Sequence, residues 1–266
     1  MTVIPKDASS VLLVRDSPSG KTGLEVLMVR RNVKSDFAAD AYVFPGGAVE
    51  GEDYLLGDDC SCSAMTLLEA QRVVKNIPYP EKALGFLVAG IRETFEEVGI
   101  LIAYVEGGAG LQKFEPELAQ RLSNYRQEMQ QGRLSFMQIL LREGMVLATD
   151  QLIHFAHWIT PEFSPVRYDT HFFISPMPPG QRSLHDDTET TASQWLSPQE
   201  AIEKAERQEF SMLAPTISNL RILAGYSSIQ QAMAATKEKD IITILPKVKV
   251  DDGEMRLLMP GDPEYS

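Results

Sequence analysis

Glu93, Glu96 and Glu97 fall at positions i, i+3 and i+4 of the stretch Arg92-Glu93-Thr94-Phe95-Glu96-Glu97-Val98-Gly99-Ile100. At about 100° per residue, that spacing gathers three carboxylates on one face of a helix. Like charges this close disfavour one another unless a cation or a hydrogen-bond donor offsets them. Upstream, Phe44-Pro45-Gly46-Gly47 carries a glycine pair whose backbone can turn and aim carbonyl oxygens. Hard divalent cations such as Mg2+ take oxygen ligands of these kinds, completed by water and phosphate oxygens. A glycine loop beside a three-glutamate helix therefore reads as a metal site. A solvated acidic helix face is the competing reading. Ala89 and Gly90 count against it, because they sit on the carboxylate side of the wheel, where small residues let another backbone approach.

The element that must position the glutamates is a helix over about 80–98. Leu84, Val88, Ile91, Phe95 and Val98 step by four, three, four and three, a single apolar stripe opposite the carboxylates. Pro80 suits its first position and Gly99 a left-handed cap past its last turn. Before it, 10–15 and 25–30 are β-type runs joined by a turn-rich link, which is a hairpin. Ser63 is a candidate N-cap for an amphipathic helix reaching about Val74. After it, 100–105 reads as a buried strand, and 116–131 and 135–142 as helices. The stretches 151–160 and 167–174 read as strands, with His154, His157 and His171 in or beside them as structural residues. Ser197-Pro198-Gln199-Glu200 opens a helix toward Glu206, followed by helices over 213–224 and 228–236. Runs over 241–250 and 255–259 flank Asp251-Asp252-Gly253, a hairpin signal.

This pattern resembles the Nudix hydrolases, whose box reads Gly, five residues, Glu, seven residues, then Arg-Glu-apolar-x-Glu-Glu-x-Gly-apolar. Arg92, Glu93, Glu96, Glu97, Gly99 and Ile100 stand in register, with Thr94 in place of the larger apolar residue. Six positions beyond Gly47 lies Asp53, with Glu52 beside it, so the first acid of the box is either shortened or displaced by one. Arg92 stands 45 positions beyond Gly47 where the box allows 14, an insertion of 31 residues. That insertion, preceded by Phe44-Pro45-Gly46-Gly47, resembles the branch containing the peroxisomal coenzyme A diphosphatases and their bacterial relatives. Trp158-Ile159-Thr160-Pro161 and Arg167-Tyr168-Asp169-Thr170 extend the likeness. The further arginine and glycine of the bacterial signature would fall on Asp36 and Asp40, so that signature is incomplete.

The resemblance implies an α/β (α+β) fold, a Nudix α/β/α sandwich with a mixed sheet, elaborated by helical insertions. It implies one domain over 1–266, with insertions at about 54–80 and 115–143 and a C-terminal extension over about 198–266. Mg2+ or Mn2+ would be held by Glu93, Glu96, Glu97 and the Gly46 carbonyl, with Arg92 orienting a glutamate. The general base would be Glu93, Glu96 or Glu189, the last standing six residues before Trp195, which resembles the tryptophan opening the last core strand of mutator-type enzymes. Arg31, with Gly46 and Gly47, would contact the substrate, a small-molecule diphosphate. The implied reaction cleaves coenzyme A or acyl coenzyme A to 4'-phosphopantetheine and adenosine 3',5'-bisphosphate. Another nucleoside diphosphate derivative (ADP-ribose, NADH or a nucleotide sugar) and a non-catalytic ligand sensor stay open as alternatives, as does a homodimer.

At 266 residues and 44% hydrophobic content the chain has material for a core without staples. A net charge of -12 lacks the basic surface that nucleic-acid binding requires. No apolar run has membrane-spanning length, and neither a signal-peptide pattern nor a peroxisomal address is present, which reads as a cytoplasmic protein. Cys60 and Cys62, one residue apart, read as reduced thiols.

Overall fold

The computed structural model describes residues 3–18, 23–33, 38–55, 62–105, 110–183, 190–251 and 254–265. The chain runs β1 (Lys6–Asp16), β2 (Leu24–Arg31), β3 (Tyr42–Val43), β4 (Gly46–Ala48), α1 (Gly51–Leu55), α2 (Leu67–Val73) and α3 (Pro80–Val98). Then come β5 (Ala103–Val105), α4 (Pro116–Gln130), α5 (Phe136–Glu143), β6 (Met145–Leu147), β7 (Ile153–Ile159), β8 (Tyr168–Pro176) and β9 (Thr190–Leu196). It closes with α6 (Pro198–Glu206), α7 (Ala214–Leu223), α8 (Ile229–Lys237), β10 (Thr243–Ile244), β11 (Lys247–Asp251) and β12 (Glu254–Leu258).

Eight strands form one mixed sheet, ordered β10-β7-β8-β1-β2-β3, with β4 added to β1 and β9 to β2. β1 lies parallel to β8 along nine residues. Its other edge divides: Ala8–Ser10 pairs with Gly46–Ala48, and Val14–Asp16 pairs with Leu24–Val26. This split delivers the glycine loop to the middle of the sheet. Side chains alternate across the strands as period two requires. Val11, Leu13, Leu27 and Val29 face a core shared with α3, α4 and α5, while Leu12, Val14, Val26 and Met28 face the core shared with α6, α7 and α8. The layers are helix, sheet, helix.

α3 has the ends that the sequence predicts, with Pro80 in the first turn and Gly99 capping at φ 70°. Its apolar stripe is buried, but so is nearly every other face, including the glutamate side. Gly90 permits this. A Cβ there would lie 2.8 Å from Ser9 Oγ and 3.0 Å from Val11, so β1 could not pack at its present distance against a larger residue.

Four expectations are corrected. The helix in the first insertion is capped by Thr66 in a capping box with Glu69, while the Ser63 hydroxyl binds Met65 O and Thr149 instead. Residues 100–102 are buried but extend no ladder, so the strand begins at Ala103. Trp195 sits next to the end of β9, not at its start. Cys62 is disulfide-bonded, not a free thiol; the chain's other cysteine, Cys60, lies outside the described residues.

Replacing Gly90 by Val is expected to destabilise the fold by about 1–3 kcal/mol through overpacking. The measurement is a urea titration, which should show a lower midpoint at an unchanged slope.

Candidate active site

Arg92 is the hub of the site. Only 5% exposed, it donates from Nε and Nη2 to both oxygens of Asp53, at 2.9 and 3.0 Å. Nη1 reaches Glu93 at 3.0 Å and Glu96 at 2.9 Å, and Nη2 also reaches the carbonyl of Ala48 at 2.9 Å. Burial alone would lower the pKa of this guanidinium, but the Asp53 hydrogen bonds and the charges of Glu93, Asp53 and Glu96 more than offset it, and the net shift is upward. The first acid of the box is therefore Asp53, not the exposed Glu52. α1 presents it, because Gly85 of α3 leaves space for the neighbouring Tyr54 ring; a Cβ at position 85 would come within 2.4 Å of that ring.

The glycine pair acts through close approach. A Cβ at Gly47 would sit 2.5 Å from the carboxylate of Glu93, and one at Gly46 would sit 2.3 Å from Ser9 O. The Gly46 N–H donates to Glu97 Oε2 at 3.0 Å. The contact seen is thus from the amide, whereas the expectation concerned its carbonyl. Glu93 and Glu97, 7% and 3% exposed, line a cavity of about 570 Å³ together with Gly46, Gly47 and Arg31. Glu96 is held on the Arg92 side and is not among the lining residues. Arg31 has a buried Nε without a hydrogen-bond partner. Glu189 lies outside the described residues.

Several contributors have no signature in the local pattern. Arg126 of α4, 8% exposed, donates to the carbonyls of Glu96 and Glu97 at 2.8 Å each. It satisfies the last turn of α3 with a positive charge where the helix dipole favours one. The opposite wall of the cavity comes from Trp158, Phe163, Tyr168 and Phe172, and from Leu213, Pro215 and Leu257 of the C-terminal extension. Among the described residues, neither 51–79 nor the pair α4 and α5 lines the cavity, and α1, α2 and α4 pack against α3.

A second group of donors, His157, Asp169 and His171, has its ligand atoms within 4.8 Å of one another. Hydrogen bonding fixes what it can do. The Lys75 N–H donates to His154 Nδ1 at 3.0 Å, which puts the proton of neutral His154 on Nε2. That nitrogen lies 3.1 Å from His171 Nδ1 and donates to it. His171 then carries its own proton on Nε2, 3.8 Å from Asp169, while His157 Nε2 meets Asp169 at 2.5 Å. A proton, not a lone pair, faces the centre of the group, so this array is distinct from the glutamate cluster and unsuited to an ion. Thr243 Oγ1 completes it at His157 Nδ1, 2.9 Å away.

The glutamate donor set fits the group it is expected to bind. Carboxylate oxygens gather at one wall of an open cavity, which suits a hard divalent cation better than a soft one.

Replacing Asp53 by Asn strands a buried guanidinium, and is expected to cost about 3–5 kcal/mol in chemical denaturation and to lower activity together with stability. Burial holds His154 down to about 3 and His171 well below the usual imidazole range, with the charge of His157 adding to both. Unfolded histidines protonate near pH 6.5, so below that pH the unfolded chain binds more protons than the native one. This contribution is fully present above pH about 6.5 and is lost as pH falls toward about 3, at roughly 1.4 kcal/mol per pH unit for each histidine. Unfolding free energies measured at neutral pH and at pH about 5 should show the drop; a flat profile would contradict these neutral buried imidazoles.

Comparison with known proteins agrees with this geometry. Residues 63–223 match the family description "NUDT19 Nudix domain". The acyl-coenzyme A diphosphatase NUDT19 of Gallus gallus is 30% identical over 98% of this chain and 81% of its own length. The Homo sapiens protein of the same name is 24% identical over 93% of this chain and 74% of its own. A Nudix hydrolase structure from Alicyclobacillus acidocaldarius superposes with a TM-score of 0.67 at 22% identity, covering 90% of this chain and all of the other. Among the described residues no helix is long and apolar enough to cross a membrane. With the box residues assembled around Arg92 and the family match spanning most of the fold, this chain belongs to the Nudix hydrolases, in the NUDT19 Nudix domain family.

Proposed function

We propose that this protein is a metal-dependent diphosphatase that cleaves coenzyme A or acyl coenzyme A to 4'-phosphopantetheine and adenosine 3',5'-bisphosphate. The observation carrying this reading is that buried Glu93 and Glu97 share one cavity with the Gly46–Gly47 loop and Arg31. The names of the relatives supply the substrate class.

Mg2+ or Mn2+ would be held by Glu93, Glu96 and Glu97 with the Gly46 carbonyl, and would supply charge neutralisation and Lewis acidity at the diphosphate. The chain's own residues position the reactants and accept a proton. Arg31 lines the cavity and brings a positive charge to a diphosphate there. Water attacks one phosphorus, a P–O bond forms, the bridging P–O bond breaks, and a carboxylate takes the water's proton. Of the described candidates for that base, Glu93 lines the cavity and Glu96 does not. Arg92 holds both side chains in place, and Arg126 holds the backbone carbonyls of Glu96 and Glu97.

Purified protein incubated with Mg2+ or Mn2+ and a panel of coenzyme A, acyl coenzyme A, ADP-ribose, NADH and nucleotide sugars, with products read by mass spectrometry, tests the reading. Release of 4'-phosphopantetheine is expected. Glu97→Gln should lower kcat by at least about 10²-fold, the scale of losing a group that stabilises transition-state charge. Turnover confined to another diphosphate would discard the coenzyme A assignment, and full turnover by Glu97→Gln would discard the mechanism.

A further inference from the structure

Coenzyme A carries two separate anionic centres, the diphosphate and the phosphate on the ribose 3' position. Among the described residues lining the catalytic cavity, Arg31 is the one cationic side chain. A second cavity, of about 370 Å³, adjoins the first, with Trp158 and Ala214 contributing to both. Its walls are apolar, made by Ile217, Ile244 and Met259 with the Trp158 indole. Two polar groups break that surface. Ser218 adds a hydroxyl. Arg221, exposed in the last turn of α7, has no carboxylate partner among the described residues.

Apolar walls, one hydroxyl and an arginine without a carboxylate partner match a purine nucleoside that bears a phosphate. They match a thioester-linked chain poorly, because such a chain offers nothing to a guanidinium. The catalytic cavity carries Phe163, Leu213 and Leu257, which suit that apolar end. We infer that the second cavity is the subsite for the 3'-phosphoadenosine end of the substrate, with Arg221 binding the 3'-phosphate and Trp158 forming the partition past which the ribose runs. The inference rests on the coenzyme A reading of the catalytic cavity and adds to it the residue that would distinguish a 3'-phosphorylated nucleotide from one lacking that group.

The test is calorimetric binding of adenosine 3',5'-bisphosphate and of AMP to the intact protein and to Arg221→Gln and Arg221→Lys, alongside hydrolysis of coenzyme A and 3'-dephospho-coenzyme A. Arg221 is exposed, so its variants are expected to fold. The native protein should bind the bisphosphate about tenfold more tightly than AMP, a difference of about 1.4 kcal/mol. Arg221→Gln should abolish that preference while leaving AMP binding unchanged, and should raise KM for coenzyme A without changing KM for the dephospho form. Arg221→Lys should restore part of the preference. Equal binding of the two nucleotides by the native protein, or a tenfold preference that survives Arg221→Gln, would overturn the subsite. Failure of the catalytic reading looks different: coenzyme A is not hydrolysed, yet the bisphosphate preference and its dependence on Arg221 persist.

Discussion

The buried pair of Arg92 and Asp53 is the constraint on which the rest of this structure depends. A guanidinium taken out of water needs every N–H satisfied, and here two carboxylate oxygens, two glutamates and a backbone carbonyl do so. The partners come from three places in the sequence: the end of β4, α1 and α3. One side chain therefore sets how the glycine loop meets the glutamate helix, although more than thirty residues were inserted between them. Asp53 and α3 meet although residues 54–79 lie between them.

Around that centre the site is a composite. α3 supplies carboxylates, the split in the pairing of β1 supplies the glycine backbone, and α4 clamps the last carbonyls of α3 through Arg126. Among the described residues, neither helical elaboration lines the cavity. Their contacts with α3 are packing and hydrogen bonds to its backbone. Residues of the β7–β8 region and of 213–257 line the cavity instead.

The legible part of the sequence was whatever a local pattern specifies. α3 could be read to its ends because the 3.6 period, Pro80 and Gly99 agree. Paired acids at Glu52 and Asp53 could not be resolved from spacing, since what decides between them is that Tyr54 packs into the space at Gly85 and turns Asp53 inward. Ser63 and Thr66 are both capping residues by type, and only Thr66 has a glutamate three residues on to close the box. Arg126, Leu213 and Leu257 carry no local mark of their roles, because proximity through the fold assigns them. The glycine loop was read as a source of carbonyl oxygens, whereas what demands glycine at position 47 is the carboxylate of Glu93 lying where a side chain would be.

The long parallel ladder between β1 and β8 has a consequence for how the molecule comes into being. Lys6–Val14 pairs with Tyr168–Pro176, so β1 finds its longest partner only after the intervening residues 15–167 have been made. Closing so wide a loop must precede the contacts that reward it, which makes sheet completion a late and slow event. Until then, Val11 to Val14 form an apolar stretch of β1 with only β2 and the β4 loop beside it. An unpaired apolar edge of this kind is open to pairing with a wrong strand.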